Sequence, residues 1–82
     1  MKIHIGEILR YDSTVDGYDF WIVMLIDDPN CQEIKAMNVV CFPLYDNGIT
    51  IGKMQGQRVI IFEQGGDEGR YYFQKEVPGD FR

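Results

Sequence analysis

Phe20-Trp21-Ile22-Val23-Met24-Leu25-Ile26 is an unbroken run of seven apolar residues, opened by Asp16-Gly17 and closed by Asp27-Asp28-Pro29. A half-buried strand alternates apolar with polar residues, so a continuous run predicts a strand covered on both side-chain faces. That makes it the central strand. Seven residues are too few to cross a bilayer as a helix, and neither flank carries the basic residues of a membrane anchor. Within the run, Phe20, Ile22, Met24 and Ile26 share one face, while Trp21, Val23 and Leu25 share the other. One face fills the core, and the other calls for a cover from a helix, a curled sheet or a partner chain.

Upstream, Ile3, Ile5, Ile8 and Leu9 predict a first strand from about Ile3 to Tyr11, with Gly6 as a bulge or bend. Asp12-Ser13-Thr14-Val15-Asp16-Gly17 has the chemistry of a tight hairpin, which makes the first two strands antiparallel neighbours. Downstream, Asn30 as a cap with Glu33 three residues later marks the one place suited to a helix. The competing reading is a turn at Pro29-Asn30 followed directly by a strand through Lys35 to Phe42. The preferred reading is a turn with at most one helical turn, then a strand over residues 39–42. Pro43 ends that pairing, Asp46-Asn47-Gly48 is a second turn, and Ile49-Thr50-Ile51 is a short strand. Gly52 and Gly56 bracket a polar connection through Lys53, Met54 and Gln55. Arg58-Val59-Ile60-Ile61-Phe62-Glu63 is a second buried strand, joined by Gln64-Gly65-Gly66-Asp67-Glu68-Gly69 to its hairpin partner Arg70-Tyr71-Tyr72-Phe73-Gln74.

Eighty-two residues have room for one core, so residues 1–82 form a single domain. An aromatic content of 13% with many Ile and Val favours sheet over helix. The expected fold is mainly β, a five- to six-stranded antiparallel curled sheet or partly open barrel with at most one short helix. The long contiguous strands near the N-terminus favour an oligonucleotide/oligosaccharide-binding (OB) type of barrel over the SH3-like alternative. The net charge of -5 is concentrated in residues 1–42, with seven acids against three bases, whereas residues 43–82 carry six against five. An acidic chain lacks the charge that phosphate neutralisation requires, so a neutral or cationic protein partner, or a homo-oligomer, is expected over nucleic acid, and no membrane. With no apolar leader at residues 1–6 the expected location is the cytoplasm, of the host cell or else the virion for a phage-derived chain, and Cys31 and Cys41 are expected as reduced thiols, Cys41 within the core.

No catalytic set assembles. His4, the one histidine, has no Glu or Cys at ligand spacing, and Ser13, the one serine, lacks a nucleophile-elbow context. Asp27-Asp28 and Asp67-Glu68 are adjacent pairs whose side chains diverge, and Gly65-Gly66 leads into acids that repel phosphate. No cofactor or metal is expected. The remaining candidates are aromatic: Tyr11, Tyr18, Trp21, Tyr45, Tyr71, Tyr72 and Phe73. Tyr, Trp and Arg dominate the centres of protein interfaces, so Trp21, Arg70, Tyr71 and Tyr72 are the expected partner contacts.

Pro43-Leu44-Tyr45, then Gly56-Gln57-Arg58-Val59-Ile60-Ile61-Phe62 and a glycine-acid turn into Arg70-Tyr71-Tyr72-Phe73, resembles the OB-type domain of phage tail-spike and baseplate-hub proteins, over residues 43–75. The resemblance implies a structural module that docks onto other subunits without catalysis. The expected role is therefore a non-enzymatic protein–protein assembly module of phage or prophage origin. Two alternatives stand beside it: a single-stranded nucleic-acid binder using Arg58, Arg70 and the paired tyrosines, and an acidic inhibitor that imitates nucleic acid.

Overall fold

Period-2 alternation and turn residues resolve into five strands in the computed structural model, which describes residues 2–15, 18–39, 52–65 and 70–75. They are β1 (Lys2–Val15), β2 (Tyr18–Leu25), β3 (Glu33–Asn38), β4 (Arg58–Gln64) and β5 (Arg70–Phe73). The sheet closes on itself in the order β1-β2-β3-β5-β4, with β4 returning to pair with β1. Every pairing is antiparallel except β3 with β5. A closed five-stranded barrel with long first strands is an OB-like architecture. Among the described residues no helix is long and apolar enough to cross a membrane.

β1 makes closure possible because it serves two ladders. Its first half, Lys2 to Glu7, pairs with β4, and its run from Gly6 onward pairs with β2. Gly6 belongs to both, opposite Leu25 on one side and Val59 on the other. A Cβ there would run into Val23 Cγ1 and lie 2.8 Å from Ile61 Cγ1, so the core occupies the space a side chain would need. Register shifts between Ile8 and Arg10 and between Tyr11 and Ser13 leave Leu9 and Asp12 as extra residues, and such bulges increase the local twist. The bulges thus fall at Leu9 and Asp12, not at Gly6, whose role is close packing.

The interior is filled by one side of each strand: Ile8 from β1, Trp21, Val23 and Leu25 from β2, Ile34 and Ala36 from β3, Val59 and Ile61 from β4, Phe73 from β5. Full burial of an apolar side chain of this size stabilises by about 1.5–3 kcal/mol. Trp21 is the largest of them, and Tyr11 meets it edge-on with ring centroids 5.0 Å apart. The indole Nε1 is buried without a hydrogen-bond partner.

The connection before β4 corrects a sequence expectation. Residues 52–54 are helical, and Met54, expected in a polar linker, is wholly buried. Hydrogen bonds from Gln57 N to Met54 O (3.2 Å) and from Gln57 Nε2 to Lys53 O (3.1 Å) close the turn, and Gly56 leaves it at φ 80°, a left-handed conformation that suits glycine. Gly56 N then donates to Ile8 O (2.7 Å), fastening the turn to β1 and driving Met54 into the core. Another correction concerns residues 30–38. The strand begins at Glu33 with no helical turn before it, and the 28–30 turn is organised by Asp28 Oδ1 accepting from Asn30 N at 3.1 Å. The alternation Ile34, Ala36, Asn38 inward fits the barrel wall better than a helical face would.

Cys31 is exposed and unpaired, in agreement with a reduced thiol. Of the turn expected over residues 12–17, residues 12–15 instead continue β1, paired with β2 as far as Val15↔Tyr18. Asp16-Gly17, the strand over residues 39–42 beyond Val39, Cys41, Asp46-Asn47-Gly48, Ile49-Thr50-Ile51 and the tip at residues 66–69 lie outside the described residues.

Candidate interaction surface

Because side chains alternate across each strand, the face opposite the core is specified once the core is. Phe20 stands beside Met37, Met37 beside Tyr72, Tyr72 beside Phe62, and Phe62 beside Ile3. The result is one outward row of apolar side chains crossing all five strands. Next to its β1–β4 end, Ile5 is paired with Ile60. Exposure rises toward that end, with Ile3 at 62%, Ile5 at 44% and Ile60 at 50% accessible. Scattered exposed apolar residues are ordinary, and a contiguous set in register is a candidate interaction surface.

On the β2–β3–β5 side the row lies in a shallow cleft of about 200 Å³ lined by Phe20, Lys35, Met37, Arg70, Tyr71 and Tyr72. Lys35 Nζ sits 5.1 Å from the centroid of the Phe20 ring and 2.9 Å from Asp12 Oδ2, so its charge is shared between a ring face and a carboxylate. Nearby, Arg10 approaches Glu33 at 3.5 Å. These exposed pairs add at most about 1 kcal/mol each to stability, but they neutralise the face locally. Arg70 and Tyr72 also line a second groove with Gln64 and Gly65, placing them on the ridge between two depressions.

Tyr71 is turned toward the barrel mouth, packed against the core and 6.3 Å from the ring of His4. Burial raises its phenol above the ordinary value of 10.0, and the carboxylates of Glu63 and Asp28 push it in the same direction. His4 Nε2 donates to Glu63 Oε1 at 2.8 Å, and its Nδ1 lies 3.8 Å from Asp27 Oδ1. His4 therefore ties β1 to β4 as a hydrogen-bonded strand residue. No cluster of His, Cys, Asp and Glu among the described residues is arranged to hold a metal.

Three of the four expected contacts, Arg70, Tyr71 and Tyr72, come together at the cleft. Trp21 does not. Its parity places it inward at 0% exposure, so it cannot touch a partner of the folded barrel. The outward residues that sequence reasoning passed over are Met37, Phe62, Ile3, Ile5 and Ile60. The usable signal was the face shared by Phe20, Ile22, Met24 and Ile26, which calls for a cover and stays half-exposed. Comparison with family models, with curated proteins and with solved structures gives no match.

Proposed function

We propose that this protein is a non-enzymatic assembly or adaptor module that binds other protein surfaces through the outer wall of its barrel. The observation that carries this reading is the in-register apolar row from Phe20 through Met37, Tyr72 and Phe62 to Ile3. An interface core needs contiguous apolar area with aromatic and Arg anchors, and Tyr72 and Arg70 stand beside that row. The pairing of Lys35 with Asp12 and of Arg10 with Glu33 suits a partner of mixed charge better than a polyanion. The resemblance of residues 43–75 to OB-type domains of phage tail proteins supports a docking role in the same sense.

Light scattering on the purified chain, with capture of partners from the native host, tests the reading. Wild type forms a defined assembly, and Met37→Ser/Tyr72→Ser, folded by circular dichroism, loses it. A strictly monomeric protein that captures nothing overturns it. One observation favours a second reading, single-stranded nucleic-acid binding: Lys35 over Phe20, with Arg70 beside Tyr72, offers stacking and charge on one wall. Titration with fluorescent oligonucleotides separates the two, since absence of binding at low salt removes the second.

A further inference from the structure

The ladder between β4 and β5 is shorter than β4. It runs from Gln64↔Arg70 to Phe62↔Tyr72 and stops there, while β4 continues back to Arg58. β5 ends at Phe73, and the chain then turns to β3, where Lys75 N donates to Asn38 Oδ1 (3.2 Å) and Asn38 Nδ2 donates to Lys75 O (2.8 Å). Residues 58–60 of β4 thus have β1 on one side and, among the described residues, no strand on the other.

Which backbone groups face that gap follows from alternation along the strands. Ile26 N donates to Ile5 O, so Ile5 directs its carbonyl toward β2 and Gly6 directs its backbone groups toward β4. Val59 and Ile61, opposite Gly6 and His4, therefore bond to β1. Ile60 points its N–H and C=O the other way, into the gap. An open groove of about 340 Å³ occupies this place, lined by Arg58, Val59, Ile60, Phe62, Gln74 and Lys75. Its apolar floor is the half-exposed Ile60 with Phe62, and its two charges are both positive. Glu7, opposite Arg58, stands on the β1 side of β4, away from the groove. Among the described residues neither Arg58 nor Lys75 joins an ion pair.

We propose that the edge of β4 at residues 58–60, which no described strand covers, accepts an extended, acidic–apolar segment of a protein partner, which adds to the barrel as a further strand. Main-chain bonds to Ile60 supply the docking, an apolar side chain of the segment covers Ile60 and Phe62, and flanking acids meet Arg58 and Lys75. The proposal rests on the protein-association reading and specifies its geometry.

The test uses the full chain and the peptide acetyl-Glu-Val-Glu-Val-Glu-amide at millimolar concentration, with amide hydrogen exchange at Ile60 as the readout. The expected result is roughly tenfold slower exchange at Ile60, equivalent to about 1.4 kcal/mol. No slowing is expected with the Lys-Val counterpart or with a peptide N-methylated at alternate residues. Arg58→Glu/Lys75→Glu exchanges the preference between the acidic and basic peptides. Unchanged Ile60 exchange with the acidic peptide, or equal effects of the parent and N-methylated peptides, overturns the proposal. Assembly that persists by light scattering alongside unchanged Ile60 exchange removes strand addition alone, whereas loss of assembly as well removes the association reading with it.

Discussion

Gly6 shows how tightly a single position can be constrained. The side chain it lacks would occupy the volume of Val23 and Ile61, so Gly6→Ala forces two core residues and the β1 backbone apart. Overpacking of this kind costs about 1–3 kcal/mol, readable as a lower midpoint in urea at unchanged slope. Tyr71 sets a pH limit. Its neutral phenol is favoured in the fold by burial and by Glu63 and Asp28, so the associated stability is complete below pH 10.0 and is lost as pH rises through the raised folded value. Tyr71→Phe should abolish this alkaline loss, giving a flatter dependence of Tm on pH above that point. Exposed Cys31, by contrast, holds a left-handed φ of 48° in the turn that follows β2. Neither its burial nor its pairing contributes to the core.

At the level of elements, two pieces do work that their composition conceals. β1 serves two neighbours through its two edges, whose ladders overlap at Gly6 and Glu7, and the bulges at Leu9 and Asp12 lie beyond that overlap, in the ladder with β2. The helical turn at residues 52–54 delivers Met54 to the core, and its backbone is held by Gly56 to Ile8. Met54→Ala should therefore cost about 2–5 kcal/mol, the range for removing a large buried side chain. The neighbouring exposed Lys53→Ala should cost less than about 0.5 kcal/mol. Thermal or urea unfolding of the pair measures the contrast. A connection that were merely polar, as residues 52–56 read in isolation, would give the same small effect for both.

Over the whole molecule, closure of the barrel separates an inner wall that stabilises from an outer wall that stays accessible. Ile60 and Ile61 are adjacent and chemically identical, yet Ile61 is wholly buried and Ile60 is half-exposed. Ile61→Ala is expected to cost about 2–5 kcal/mol, whereas Ile60→Thr should stay within about 0.5 kcal/mol. Urea denaturation of the two variants checks the partition.

Much of the fold was legible in the chain itself. The seven-residue run at Phe20 to Ile26 and the alternation around Ile60 specify strands, and the glycine-rich stretch after Gln64 specifies the antiparallel return to Arg70. These are local properties, set by side-chain period and backbone sterics. Only the tertiary structure decided which of two equally apolar faces of β2 turned inward, sending Trp21 to the core and Phe20 to the surface. It also decided that Met54 is a plug, that β3 starts at Glu33, and that β5 ends short of the β4 edge. Each depends on contacts between residues far apart in sequence, and a period of two identifies a pair of faces without saying which one the rest of the chain will cover.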